Sequence, residues 1–229
     1  MHKLSAALLV LIPVFALSSF AQETVFDVPS PGILDKGKVY GELDGTVRPV
    51  DPASTFEPRV VMGLGHRIEA GLNLVGAGIP FSGQIIIAPT IKWRLWDGGS
   101  SGWSFFTGDD VLFPVRQGNY SAGNYFYAEF AKVFHGKTRI GFGGYDVSKK
   151  VVAPVQRAGG QFTIEQPVNQ RVTFAAEWTT GNNDAGYATP GVIVKATSKL
   201  TLYGCYQIGN AGVTRGNHQL LWELGYNFN

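Results

Sequence analysis

From Lys38 onward the chain alternates apolar and polar residues with a period of two, segment after segment, with turn residues between the segments. In Lys38–Val47, the residues Val39, Gly41, Leu43, Gly45 and Val47 alternate with Tyr40, Glu42, Asp44 and Thr46. Phe56–Leu64, Ile68–Val75 and Ile85–Leu95 repeat the pattern. So do Trp103–Thr107, Asn124–Phe134, Thr138–Tyr145, Gln161–Gln166, Arg171–Thr179, Gly191–Thr197, Leu200–Gln207 and His218–Phe228. The helical period is almost absent. About twelve strands are predicted, or ten if the short Trp103–Thr107 and Gln161–Gln166 are not counted. Many approach the ~9–11 residues that a tilted membrane-spanning strand requires.

Long and short connections alternate along the chain, the longest predicted loop being Gly108–Gly123. An up-and-down barrel in a membrane has this asymmetry, with short turns at one rim and longer loops at the other. A soluble sandwich with Greek-key crossovers has no reason for it. No composition break marks a second domain, so residues 36–229 are expected to form one all-β, closed, antiparallel transmembrane barrel. Residues 22–35, with Pro29 and Pro31, form an irregular lead-in.

Alternation alone does not tell inside from outside, but the polar face carries full charges at mid-strand. A wet or ion-paired lumen tolerates them; hydrocarbon does not. The expected lumen-lining residues are Glu42, Asp44, Arg59, Lys92, Arg94, Glu129 and Glu223. Folding the hairpin about Asp51–Pro52 sets Asp44 opposite Arg59, and folding about Pro80–Phe81 sets Glu69 opposite Lys92. The same construction pairs Glu165 with Arg171 across the turn at Val168, and Glu177 with Lys195. Closure of the barrel brings Glu223 toward Glu42 and Asp44, three carboxylates that favour cations in a water-filled passage. On the apolar face, Trp93, Trp96, Trp103, Tyr226 and Phe228 fall near the short-turn rim and Trp178 near the other, as aromatic girdles do. Lys132 falls on the apolar face close to a strand end, where its amine can snorkel.

Residues 1–21 have the organisation of a secretory signal: His2 and Lys3, the apolar run Leu4–Leu17, then Ser19-Phe20-Ala21 ahead of a cleavage site. The run is short for a spanning helix and Pro13 interrupts it. Hydrophobic residues make up 45% of the chain and charged ones 16%, which argues against disorder. A net charge of +2 without a basic block gives a nucleic acid no electrostatic footprint. The single cysteine, Cys205, excludes an internal disulfide and a Cys-cluster metal site.

With the leader at 1–21, the alternating segments and the terminal strand His218–Phe228, the chain resembles bacterial outer-membrane β-barrel proteins, porin-like in the broad sense. Leu220, Trp222, Leu224, Tyr226 and Phe228 match the final strand of such proteins, which ends on an aromatic; Asn229 after Phe228 departs from it. The resemblance implies residence in outer-membrane lipid, insertion by the barrel-assembly machinery, and passive passage of small hydrophilic solutes or ions with no cofactor. A non-conducting adhesion or structural barrel acting through its external loops is a second class. A secreted soluble β-sandwich binding module is a third.

Catalytic signatures are absent from the sequence. None of His2, His66, His135 and His218 has the Ser or Asp neighbour that barrel lipases or proteases place beside it, and His66 and His135 fall in separate turns. Asp109-Asp110 lacks a nearby His, and the lone Gly76-Ala-Gly78 completes no dinucleotide fingerprint. Neither a nucleophile elbow nor a phosphate loop occurs. Phe113, Tyr120, Lys149, Lys150, Arg157 and Tyr187 are loop residues able to recognise a ligand.

Overall fold

Twelve long strands follow one another around a single antiparallel ring. They are β1 (Val39–Val47), β2 (Ser54–Gly65), β3 (Ile68–Val75), β5 (Ile86–Asp97), β6 (Trp103–Pro114), β7 (Gly123–Val133), β8 (Arg139–Val147), β9 (Ala158–Pro167), β10 (Val172–Thr179), β11 (Tyr187–Lys195), β12 (Leu200–Gly209) and β13 (His218–Asn227). A further short strand, β4 (Ala77–Ile79), continues β3 beyond Gly76, whose φ of 85° turns it away from β5, so that β4 pairs with β2 alone. The first and last strands pair, Leu43 opposite Leu224, and close the barrel. This computed structural model describes residues 24–49, 54–79, 85–115, 122–148 and 156–228. The expected signal at 1–21, the turns at Asp51–Pro52 and Pro80–Phe81, and Tyr120, Lys149 and Lys150 lie outside them.

The two faces of each strand carry opposite chemistry. Thirty large apolar side chains among the described residues are exposed on the outer surface, including Val60, Leu72, Ile91, Phe130, Phe142, Ile164, Phe174 and Leu224. Glu42, Asp44, Glu69, Lys92, Glu129, Glu177 and Glu223 are buried inside. This inverts a water-soluble protein and suits a hydrocarbon surround, where a closed ring of strands pairs its backbone groups internally. The β-sandwich alternative is corrected by the β1–β13 pairing, which closes the twelve long strands into one ring. Trp93, Trp96, Tyr226 and Phe228 are exposed at the short-turn rim and Trp178 at the opposite one. Lys132 bends to that rim, donating to the Ser101 carbonyl with its amine 5.2 Å from the Trp103 ring.

Strand ends differ from the sequence expectation where polar or turn-forming residues sit inside a strand. The segment expected to stop at Thr107 continues as β6 to Pro114, so Asp109, Asp110 and Phe113 are strand residues and the loop expected at Gly108–Gly123 is half sheet. Asp109 is accommodated by the Asn124 amide, 3.2 Å away, and Asp110 pairs in register with Thr90. β11 begins at Tyr187 and not Gly191, with Pro190 inside it. Proline has no N–H to donate, and pairing with β12 lapses at Thr189 and Pro190 before resuming at Gly191 opposite Cys205.

Candidate functional site

Among the described residues, charged, buried and unpartnered groups converge in the lumen, and three neighbourhoods divide it. The first lies at the β13–β1–β2 seam. Glu42 and Asp44 alternate along β1 toward the interior, Glu57 and Arg59 do so along β2, and Glu223 faces Asp44 directly in register. Arg59 stands opposite Glu42 and not Asp44, yet its Nε reaches Asp44 Oδ2 at 2.8 Å on the diagonal and Glu57 Oε1 at 3.1 Å. Its Nη1 lies 3.8 Å from Glu42 Oε1, and the Tyr40 hydroxyl donates to Glu42 Oε2. On the other side of β2, Lys92 and Glu69 meet in the expected register with 2.7 Å between Nζ and Oε1.

The two remaining expected pairs do not form. The β9–β10 register sets Ala175 opposite Glu165, and Glu165 binds Arg139 of β8 in place of Arg171, which lies exposed at the turn. The β10–β11 register sets Thr189 opposite Glu177, and Lys195 lies at the far end of β11. Both errors come from hairpin turns whose length fixes register. Arg94 lies near the rim end of β5, 3.3 Å from Asp97, rather than at mid-lumen.

Glu177 has a different partner, and it is the second neighbourhood. The irregular segment Thr24–Asp35 enters the barrel, makes a tight loop closed by a Thr24–Pro29 bridge, and leaves toward the short-turn rim. Its amides at Phe26, Asp27 and Val28 all donate to the Glu177 carboxylate, at 3.1, 2.9 and 2.9 Å. Gln207 donates to Asp27, and Glu69 Oε2 accepts the Leu34 amide at 2.8 Å. Val25 and Phe26 are fully buried against Ala175, Ile193, Tyr203, Cys205 and Leu221, an apolar patch on an otherwise polar wall. Gly191 and Gly63 make room: a Cβ on Gly191 would press on Phe26, and one on Gly63 would land on the Leu34 and Asp35 carbonyl oxygens. The sequence expectation left this segment as a lead-in. Its signal was the apolar Val25-Phe26 and Val28 ahead of Pro29, matched by Ala175, Ile193, Cys205 and Leu221 at inward positions.

A wall of aromatics on β6–β8 forms the third. Phe106, Tyr127 and Tyr145 are buried there with Tyr125 stacked on Tyr145. Gln161 donates to the Tyr125 hydroxyl, and Asn183 to that of Tyr145 at 2.7 Å. Glu129, beside them on β7, is buried with no hydrogen-bond partner on either carboxylate oxygen.

A cavity of about 680 Å³ opens at the short-turn rim. Its walls carry Arg94, Lys132, Lys137, Arg139, Lys195 and His135 against Asp97 and Glu165, a cationic mouth above an anionic seam. Pro31 and Gly32 of the N-terminal segment also line it. Among the described residues no cluster joins a cysteine or histidine to carboxylates at ligand spacing, while Glu42, Asp44 and Glu223 bring one oxygen each within 4.8 Å of one another. Cys205 is buried among apolar lumen residues.

Solved structures share this fold. The NanC porin superposes with a TM-score of 0.58 at 12% identity, covering 82% of this chain and 99% of that one. An outer membrane channel from Pseudomonas putida F1 superposes at 0.52 and 11% identity, covering 85% of this chain and 97% of that one. A comparison with protein-family models finds no match, and none is found among curated protein sequences. At these identities the likeness shows a shared fold, that of outer-membrane β-barrels.

Proposed function

We propose that the chain is an outer-membrane channel for small hydrophilic solutes or ions, closed while its own N-terminal segment is seated in the lumen. The observation that carries this reading is the Pro31–Gly32 lining of the vestibule: the cavity is bounded by the N-terminal segment as well as by barrel wall. The segment is tied by hydrogen bonds to Glu177, Glu69 and Gln207 and by the burial of Val25 and Phe26. Similarity of fold to two proteins named as a porin and a channel supports the same reading. Passage of this kind is passive and needs no catalytic group. Export through the expected leader at 1–21 and insertion by the barrel-assembly machinery complete it.

Planar-bilayer recording of the refolded protein tests the proposal. Discrete, salt-dependent current steps are the expected result, with long closed intervals while the segment is seated. Their absence, both in the wild type and in Glu177→Gln, would leave the second reading, a closed barrel acting through its long loops. That reading draws on the filling of the lumen by Phe26, Tyr127, Gln161, Asn183 and Thr189, all buried.

A further inference from the structure

The strands that close the barrel meet at a place where like charges face one another. Asp44 of β1 lies directly opposite Glu223 of β13 on one side and opposite Glu57 of β2 on the other, while Glu42 follows two residues earlier on the same face. Like charges directly opposite across strands are unfavourable, and a buried carboxylate without a donor loses its hydration for no return. Arg59 supplies a single positive charge to Glu42, Asp44 and Glu57.

The acceptors left over point to one place. Glu42 Oε2 accepts from the Tyr40 hydroxyl and Asp44 Oδ2 is ion-paired with Arg59, while Glu42 Oε1, 3.8 Å from Arg59 Nη1, and Asp44 Oδ1 have no hydrogen-bond donor. Glu223 is only 1% exposed and neither of its carboxylate oxygens has a donor. This unpartnered side chain projects into the Glu42–Asp44 pair, and one oxygen from each of the three lies within 4.8 Å of the others.

Three hard oxygens with that spread fit one class of ion. Ca²⁺ takes ~6–8 oxygen ligands at ~2.3–2.6 Å in flexible geometry and accepts carboxylates brought together from separate strands. Mg²⁺ demands a near-ideal octahedron at ~2.0–2.1 Å and keeps several of its waters, which suits an all-carboxylate cluster in a protein wall less well. With no thiol or imidazole in the cluster, zinc and copper have no preferred donor. We propose that Glu42, Asp44 and Glu223 bind Ca²⁺ across the β1–β13 seam, so that the ion ties the last strand to the first. The site is independent of whether the lumen conducts, and its test involves no current.

Tb³⁺, a luminescent substitute for Ca²⁺, is titrated into the full chain refolded in detergent, with excitation of the tyrosines. Tyr40 touches Glu42 and Tyr203 lies beside it, close enough to sensitise the ion. Expected is saturable Tb³⁺ emission that Ca²⁺ displaces, with a ≥10-fold loss of affinity in Glu223→Gln and in Asp44→Asn. Glu129→Gln removes an equally buried and unpartnered lumen carboxylate outside the cluster and leaves the affinity unchanged. Folding of each variant is read from heat-modifiable gel migration, and in the wild type Ca²⁺ raises, and a chelator lowers, the temperature at which the folded band is lost. Absence of displaceable emission in the folded wild type, or an equal loss of affinity in Glu129→Gln, overturns the proposal.

Discussion

The Glu177 carboxylate accepts the backbone amide of Phe26 at 3.1 Å, joining a barrel stave to a stretch of chain 151 positions away. The same carboxylate takes the next two amides, so one side chain satisfies three consecutive N–H groups that would otherwise be buried and unpaired. A short, irregular segment is thereby given a fixed seat in the lumen at the cost of one buried charge.

Glu177→Gln keeps the size of that side chain and removes most of its function. Glutamine offers one carbonyl oxygen and turns its NH₂ toward amides that need an acceptor. Hydrogen bonds to a charged group contribute about 1.5–3 kcal/mol each, so losing even one shifts the seated-to-released ratio by roughly tenfold or more. Single-channel recording is expected to show a correspondingly larger open fraction at unchanged unitary conductance, and limited proteolysis to cut within residues 24–37. Wild-type gating and protection in the variant would mean that the segment is held by packing alone.

Gly63→Ala reaches the same segment from the opposite side. The added methyl lands on the Leu34 and Asp35 carbonyl oxygens, so the strain falls on the segment. The amide of Gly37 donates to the Gly63 carbonyl at 2.8 Å, which fixes how closely the two backbones approach. Increased protease cleavage between residues 24 and 37 is expected, with strand content by circular dichroism and heat-modifiable migration both as in the wild type. A variant that loses its strand content instead would show Gly63 to be required by the sheet.

The barrel was legible in the sequence because it depends on a period of two that lipid outside and charge inside both enforce. Twelve staves, their outward residues and the Glu69–Lys92 pair followed from it, the last because Glu69 and Lys92 stand opposite each other in the β3–β5 register. Pairings that hang on turn length did not follow: Glu165 went to Arg139 and Glu177 to the N-terminal amides, since each shift in register moves a charge to a new neighbour. The seating of Thr24–Asp35 was only partly legible, for another reason. Its bonds to Glu177 and Glu69 run through backbone N–H groups, which every residue but proline has, so the side-chain pattern shows its apolar contacts at Val25 and Phe26 and not its polar anchors. The Asp44–Glu223 juxtaposition was half legible: closure brings the two strands together, but only the register makes the carboxylates face each other.

Lys92 and Glu69 form a pair almost sealed from solvent, with side-chain exposures of 2% and 3% and 2.7 Å between their charged atoms. Removing one partner strands the other charge in the interior, which costs about 3–5 kcal/mol, whereas replacing both with apolar groups of similar volume is close to neutral. Lys92→Met is therefore expected to lower the urea-unfolding free energy in lipid vesicles by that amount. The double variant with Glu69→Leu should recover most of it, less the hydrogen bond that Glu69 accepts from the Leu34 amide. Additive losses in the double variant would show that the two residues act separately.

Orientation is the most exposed inference, and a single outward position tests it. Leu72 sits in the middle of β3, 46% exposed, flanked in register by Val60 and Pro89. On a water-facing surface Leu72→Arg would change stability by no more than about 0.5 kcal/mol. On a lipid-facing surface the same change puts a guanidinium in hydrocarbon, and costs about 2–4 kcal/mol near the bilayer midplane, falling to about 0–1 near the interface. Val133 is as exposed as Leu72 but ends β7 at the short-turn rim, so Val133→Arg should fall in the lower range. Unfolding of both variants in vesicles, followed by tryptophan emission, is expected to separate them by about 2 kcal/mol. Equal and small losses at both positions would place water, not lipid, against the outer wall, because only a hydrocarbon slab makes the penalty depend on height along a strand.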